Sequence, residues 1–225
     1  MDSESPFRKA GFFGHARDRR GYHHGSLKDA LLDAARALLS ERGGGGFTLA
    51  EAAKRVGVTA AAPYRHFADR GALMAELARR GFEMFAQRMA GAWDQGRPDP
   101  VSALNRMGAA YLGFAREEPG LYSAMFADVG ALQRAPDSGA AGAKAFDQLR
   151  EATAAALRAL GGSAADAPLL ALRIWSLSHG VAMLAAGGHL APDCDAEPEK
   201  VLVGGVRALL EQTARPSAPT GPWGV

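Results

Sequence analysis

Apolar side chains recur along this chain at intervals of three and four residues. That is the period of a helix with one buried side, and no stretch alternates in twos as a half-buried strand does. A first helix is expected over residues 26–42, capped by Ser26, with Leu27, Leu31, Ala34, Ala35 and Leu38 on one face. The glycine run 43–46 stops it. Thr48-Leu49-Ala50-Glu51 has the form of a capping box; Leu49, Ala52, Ala53 and Val56 follow at i, i+3, i+4 and i+7, and Gly57 ends the second helix. Thr59 is expected to cap a short third helix reaching His66, with Pro63 in its opening part. Over residues 69–93, Leu73, Leu77, Gly81, Phe85 and Met89 repeat every four residues and predict one long helix.

After a linker at 95–100, further helices are expected over 101–117, from Pro119 onward, over 140–160, over 164–186 and over 199–214. Residues 128–138 and 187–198 read as irregular. The fold class is all-α: an N-terminal three-helix domain with a helix-turn-helix, then a C-terminal helical bundle. The expected division is a basic arm over 1–24, a helix-turn-helix domain over 25–70, a second domain over 71–215 and a tail over 216–225.

Composition narrows the picture. With 48% hydrophobic and 22% charged residues the chain has the balance of a folded globular protein. Net charge is only +2, but it is unevenly placed: residues 1–80 carry 14 Lys/Arg against 9 Asp/Glu, and the remainder carries 12 against 15. A basic first third suits an anionic partner such as nucleic acid. The single cysteine, Cys194, allows no intrachain disulfide, and the polar, basic first twenty residues lack the apolar stretch of a signal peptide; both favour the cytoplasm. The most apolar segment, 169–188, contains Arg173, Ser176, Ser178 and His179 and reads as a buried helix rather than a membrane span. His189, Asp193, Cys194 and Asp195 match no metal-ligand spacing, and neither a metal nor a cofactor is expected. No catalytic residues are expected either: no phosphate-binding glycine loop, carboxylate pair or nucleophile–base motif stands out.

Two short helices joined by a tight turn containing glycine form a helix-turn-helix pattern, whose second helix can enter the major groove of DNA. The residues are more telling than the spacing. Tyr22-His23-His24-Gly25-Ser26-Leu27, Thr48-Leu49-Ala50-Glu51-Ala52-Ala53, Gly57-Val58-Thr59 and Ala62-Pro63-Tyr64-Arg65-His66-Phe67 together resemble the N-terminal domain of TetR-family regulators. Tyr64 to Phe67 match that family's Tyr-x-His-Phe signature. Trp175-Ser176-Leu177-Ser178-His179-Gly180, with residues 118–126 upstream, resembles the Trp-His-Gly class of TetR C-terminal domains. Arg70 and Gly71 stand where the family has Lys and an acidic residue, and the loop at 43–46 is unusually rich in glycine.

The resemblance implies a sequence-specific regulator, a repressor released from double-stranded operator DNA by a small-molecule effector. It implies that Thr48 and Thr59 bond phosphates or cap their helices, that Tyr64, His66 and Arg70 touch phosphates, and that Arg65, Ala60 and Ala61 face base edges. Arg8, Lys9, Arg17, Arg19 and Arg20 either follow the minor groove or form a solubilising tail. Phe85, Met89, Tyr111, Phe114, Tyr122, Met125, Phe126, Trp175 and His179 are candidate ligand contacts, although aromatic and Met side chains at helical spacing equally suit a plain core. A homodimer is implied, joined through Leu172, Val181, Leu184 and Ala185 on one helix and Val201, Leu202, Gly205, Val206 and Leu209 on the other. The 69–93 helix is expected to be the only long element shared by both domains. The competing readings are an enzyme within residues 81–225 and a DNA-binding protein without ligand control.

Overall fold

The computed structural model describes residues 26–42, 46–126, 136–190 and 197–215, with the side chains of 136–139 and 141 left aside. The expected arm at 1–24, the tail at 216–225 and Cys194 lie outside the described residues. Among the described residues there are eight α-helices and no strand: α1 (Leu27–Glu41), α2 (Leu49–Val56), α3 (Arg70–Trp93), α4 (Pro100–Glu117), α5 (Pro119–Phe126), α6 (Pro136–Ala159), α7 (Ala167–Ala186) and α8 (Pro198–Ala214).

Local chemistry sets most of the helix ends. Ser26 Oγ accepts from the Asp29 amide and starts α1. The Thr48–Glu51 capping box is reciprocal: Thr48 Oγ1 accepts from the Glu51 amide at 3.1 Å, and Glu51 Oε2 accepts from the Thr48 amide at 2.7 Å. Gly57, at φ 83°, closes α2 in the left-handed region that glycine enters without a Cβ clash. Asp69 and Asp99 cap α3 and α4 through side-chain oxygens. α3 stops where Asp94, Gln95 and Gly96 take successive positive φ values of 44°, 55° and 78°.

Two helix starts differ from the sequence reading because of a proline. The segment expected to be α-helical from Thr59 is instead a turn followed by a 3-10 helix, Ala62–Arg65, with no side-chain cap. An α-turn opening at Thr59 would need residue 63 to donate to the Thr59 carbonyl, and Pro63 has no N–H. The Ala62 amide bonds that carbonyl instead, at 3.0 Å, and tightens the turn. Likewise Pro168 cannot donate to Ala164, so Ala164–Asp166 forms a 3-10 turn and α7 begins only at Ala167. α6 starts earlier than expected, at Pro136 rather than residue 140.

α3 is the spine of the molecule. Leu73, Leu77, Gly81, Phe85 and Met89 are all buried, and the helix packs on α4, α5 and α6. α7 packs on α4, α6 and α8 through one side only, where Leu170, Ala171, Ile174, Ser178, Val181 and Ala182 are buried. Its opposite side leaves Leu169, Leu172, Met183 and Leu184 in solvent, so the helix expected to be buried is covered on one side only. With its 3-10 turn (Ala164–Ala186) it is long and apolar enough to cross a membrane by length and composition alone. The inferred dimer faces also divide. Val181, Leu202 and Val206 are core residues of the protomer, and Gly205 lies against Leu177, whereas Leu172, Leu184 and Val201 are exposed. A helix's apolar positions cannot tell from sequence which neighbour takes which side.

The N-terminal helices dock on the bundle chiefly through α1 against α5, with far less contact between α1 and α3. At that crossing a Cβ on Gly120 would come within 2.2 Å of the Arg36 carbonyl oxygen, while the Arg36 guanidinium pairs with the Glu118 carboxylate. Only glycine permits this approach. Gly120→Ala is therefore expected to lower stability by about 1–3 kcal/mol through forced separation of α1 and α5. Gly91→Ala, on an open helical position with nothing within 4 Å, is expected to gain about 0.5–1 kcal/mol. Urea unfolding of both variants checks the contrast, and equal effects would contradict the close packing.

Candidate DNA interface and ligand cavity

The helix-turn-helix displays its expected contact residues outward. Thr48, Thr59, Ala60, Ala61, Tyr64, Arg65, His66 and Arg70 are all exposed, Tyr64 by 61%. Pro63 and Phe67, between and beside them, are buried and anchor the segment to the head. The side chains of Tyr64, Arg65 and His66 have no hydrogen-bond or ion-pair partner among the described residues, which leaves their polar groups available. Arg70 is steadied by the Phe47 ring, 5.1 Å from its guanidinium carbon to the ring centre. Thr48 is engaged: its hydroxyl accepts from the Glu51 amide and donates to the Glu51 carboxylate at 3.0 Å. That carboxylate, bonded by Arg42 and by Thr48, is held down at a pKa of about 2.

Inside the C-terminal bundle is a cavity of about 290 Å³ with an almost wholly apolar wall. α3 contributes Phe82, Phe85 and Met89, α4 contributes Leu104 to Tyr111 on one face, and α5 contributes Met125 and Phe126. α6 adds Ala145, Phe146 and Leu149, and α7 and α8 close it with Ile174, Trp175, Ser178, Leu202, Val203 and Val206. Of the nine expected ligand contacts, Phe85, Met89, Tyr111, Met125, Phe126 and Trp175 line this space. Phe114, Tyr122 and His179 do not. Phe114 is fully buried behind Phe85, ring centres 5.4 Å apart.

Tyr122 and His179 form a polar support behind the wall. Tyr122 Oη lies 2.8 Å from His179 Nδ1 and 3.1 Å from Tyr111 Oη, and the His179 ring meets Phe126 edge-on at 4.7 Å. Burial lowers the His179 pKa, so the ring is neutral near pH 7, and burial pushes Tyr122 up to about 12. A neutral imidazole hydrogen-bonded through Nδ1 to the Tyr122 hydroxyl fixes the ring that backs Phe126. Phe82, Asn105 and Phe146 were not among the nine expected contacts. The i, i+3 steps from Phe82 to Phe85, and from Asn105 through Gly108 to Tyr111, would have placed two of them on the same faces.

Residues 31–77 match the family model for bacterial regulatory proteins of the tetR family, and residues 104–209 match that for the tetracyclin repressor-like C-terminal domain. The chain belongs to the TetR family. It is thus a DNA-binding transcriptional regulator and not an enzyme. A solved protein of unknown function from Rhodococcus sp. RHA1 is 30% identical, covering 86% of this chain and 98% of that one, with a TM-score of 0.72. The uncharacterized HTH-type transcriptional regulator YobS of Bacillus subtilis (strain 168) is 33% identical over 100 residues, 44% of this chain; the match spans about half (51%) of that relative's length. The fatty acid degradation regulator FadR from Bacillus halodurans, at 17% identity over 84% of this chain and 96% of that one, shares the fold with a TM-score of 0.65.

Within this TetR-family fold two elements, not one, join head and cavity. α3 runs from the exposed Arg70 to the cavity residues Phe85 and Met89. α5 does the same in eight residues: Gly120 touches α1, and Met125 and Phe126 line the cavity. Gly81 is where they meet, since a Cβ there would lie 2.9 Å from Met125 Cγ. Gly81 is therefore a helix-crossing position and does not line the cavity.

Charge reinforces the α1–α3 side of the joint. Glu76 is bonded by Arg79 at 2.9 Å and Arg80 at 3.1 Å and lies 3.8 Å from Lys28, and Arg80 also reaches Asp29 on α1 at 2.7 Å. These cations, Arg79 foremost, hold Glu76 at about 2, below its ordinary 4.5. A depressed carboxylate stabilises the fold fully above its ordinary pKa, and that contribution is lost as pH falls from about 4.5 through about 2. Glu76→Gln is accordingly expected to lower Tm by a few degrees at pH 6, with the gap closing as pH approaches 3. Melting curves across that range check it, and a gap that widens on acidification would contradict the network.

Proposed function

We propose that this TetR-family regulator is a cytoplasmic homodimeric repressor that reads a pseudo-palindromic operator and is released from it by a small, largely apolar effector. The observation that carries this reading is one continuous arrangement. An exposed reading segment and an apolar cavity are joined by α3 and α5, each with one end at the head and the other in the cavity wall. A DNA binder without ligand control would have no need of an open space in its core, since protein interiors otherwise close-pack.

In the operator complex Tyr64, His66 and Arg70 bond phosphates, Arg65 reads a base edge, and Ala60 and Ala61 allow close approach to the major groove, with Thr59 at its entrance. Thr48 positions α2 through its cap. The second copy covers the solvent side of α7 and α8, where Leu169, Leu172, Met183 and Leu184 on α7 and Val201 on α8 are exposed. Two-fold pairing there sets the spacing of the two reading segments to one turn of B-DNA. An effector wedged beside Met89 or Phe126 displaces α3 or α5 and with it the head. A tenfold preference for the DNA-incompetent state supplies about 1.4 kcal/mol per site.

Three outcomes are expected. With operator selected from random DNA, Tyr64→Phe and His66→Ala weaken binding to all sequences alike and reduce the salt dependence, while Arg65→Ala changes base preference at one position per half-site; binding titrations at several salt concentrations read both. Leu172→Glu gives a folded monomer in sedimentation, whereas Val206→Glu, inside the protomer, unfolds it; an unchanged dimer for Leu172→Glu would remove this face. Finally, operator DNA weakens effector binding by the factor with which effector weakens operator binding. Equal effector affinity with and without operator would end the allosteric reading.

A further inference from the structure

We propose that the cavity takes a neutral, flat, aromatic molecule of roughly a dozen non-hydrogen atoms bearing one hydrogen-bonding group, which the carboxamide of Asn105 receives. This assignment rests on the reading of the cavity as the effector site and adds the chemistry of what fills it.

Charge is decided by the wall. None of the residues lining the cavity is ionisable at neutral pH as an acid or a base, and tyrosine burial raises the Tyr111 pKa further. Arg106, next to Asn105 in sequence, turns its guanidinium away, onto the carbonyls of Ala92 and Arg97. His179, which backs Phe126 behind the wall, is kept neutral by burial and engaged by Tyr122. A carboxylate or ammonium entering this space would lose its hydration with no opposite charge to meet it.

Shape follows from the rings. Phe82, Phe85, Tyr111, Phe126, Phe146 and Trp175 present six aromatic surfaces, with Phe85 and Tyr111 edge-to-face at 5.3 Å and Phe146 and Trp175 5.8 Å apart. Such walls favour a planar guest that can be stacked or met edge-on. Size follows from the volume: a cavity of ~150 Å³ holds benzene, so about 290 Å³ scales to roughly a dozen heavy atoms.

The single polar group follows by accounting. Asn105, Tyr111 and Ser178 bring polar side chains to the wall, together with the indole N–H of Trp175, which is engaged with the Tyr111 side chain. The Tyr111 hydroxyl is within hydrogen-bond reach of Tyr122 and His179, and the Ser178 hydroxyl donates to the Ile174 carbonyl at 2.8 Å. The half-buried Asn105 carboxamide has no partner among the described residues and offers both a donor and an acceptor. It is the group in the wall left to orient a guest.

The test uses the full chain and four matched probes: naphthalene, 2-naphthol, 2-naphthoate and 2-naphthylmethylammonium, followed by Trp fluorescence and calorimetry at pH 7. Naphthalene and 2-naphthol are expected to bind, and both ions at least about 100-fold more weakly than 2-naphthol. In Asn105→Leu the advantage of 2-naphthol over naphthalene, roughly 3- to 10-fold, disappears while naphthalene affinity stays. Either ion binding as tightly as 2-naphthol overturns the neutral-ligand assignment but leaves the cavity as an effector site. An unchanged naphthol preference in Asn105→Leu removes Asn105 as the polar contact. Failure of all four probes to bind removes the cavity as a ligand site altogether, and with it the effector reading. The four-probe comparison on the unaltered chain stands even if the variant fails to fold.

Discussion

Every fourth residue of α3, from Leu73 through Leu77, Gly81 and Phe85 to Met89, is withdrawn from water, and the remaining helices are arranged to make that burial feasible. At its start the stripe lies among the head residues; further on it needs α4, α5 and α6 around it. A helix of 24 residues spans about 36 Å, so no single layer of neighbours can cover it. The head and the bundle are therefore not two independent bodies joined by a linker. They share one buried surface, and a shift of α3 at either end has to be accommodated by packing at the other.

The second joint has a different physical character. α5 is only eight residues long and is held at one end by backbone-to-backbone proximity, Gly120 against the Arg36 carbonyl, rather than by interlocking side chains. Its other end forms part of the cavity wall through Met125 and Phe126, and Phe126 is backed by the neutral His179 ring. Close-packed interiors respond to a guest by stepping between arrangements rather than by deforming smoothly. In the proposed effector reading, a guest that rotates Phe126 has a short path to α1 through α5, parallel to the longer one through α3.

The head was readable from sequence nearly residue by residue, because its signals are local. The Thr48–Glu51 capping box, the Gly57 terminator and the alternation of buried Pro63 and Phe67 with exposed Tyr64, Arg65 and His66 all act within a few residues. The cavity was readable only in outline. Phe85 and Phe114 both occur at apolar helical positions, yet one faces the space and the other fills the core behind it. Tyr122 and His179 carry polar atoms that could serve a ligand, but in the fold they satisfy each other. Asn105 gave no signal beyond its i, i+3 spacing to Gly108, since a lone amide on an amphipathic helix is ordinary until its neighbours prove to be uncharged and already bonded.

By itself the sequence determined the helical fold, the order of the elements and the caps that start α1 and α2, because helical period and capping depend on residues three and four apart. In principle it also contained the 3-10 starts at Ala62 and Ala164: a proline four residues after a would-be first carbonyl removes one known hydrogen bond. Only the tertiary structure decided which apolar positions of α7 and α8 lie inside the protomer. Val206 is buried and Val201 exposed, although both are valines on the same helix. It likewise decided that α5 meets α1 at Gly120, that Gly81 is a crossing point, and that six helices leave a space between them. These are relations between surfaces distant along the chain, and side-chain periodicity fixes which side of a helix is apolar without fixing which neighbour it meets.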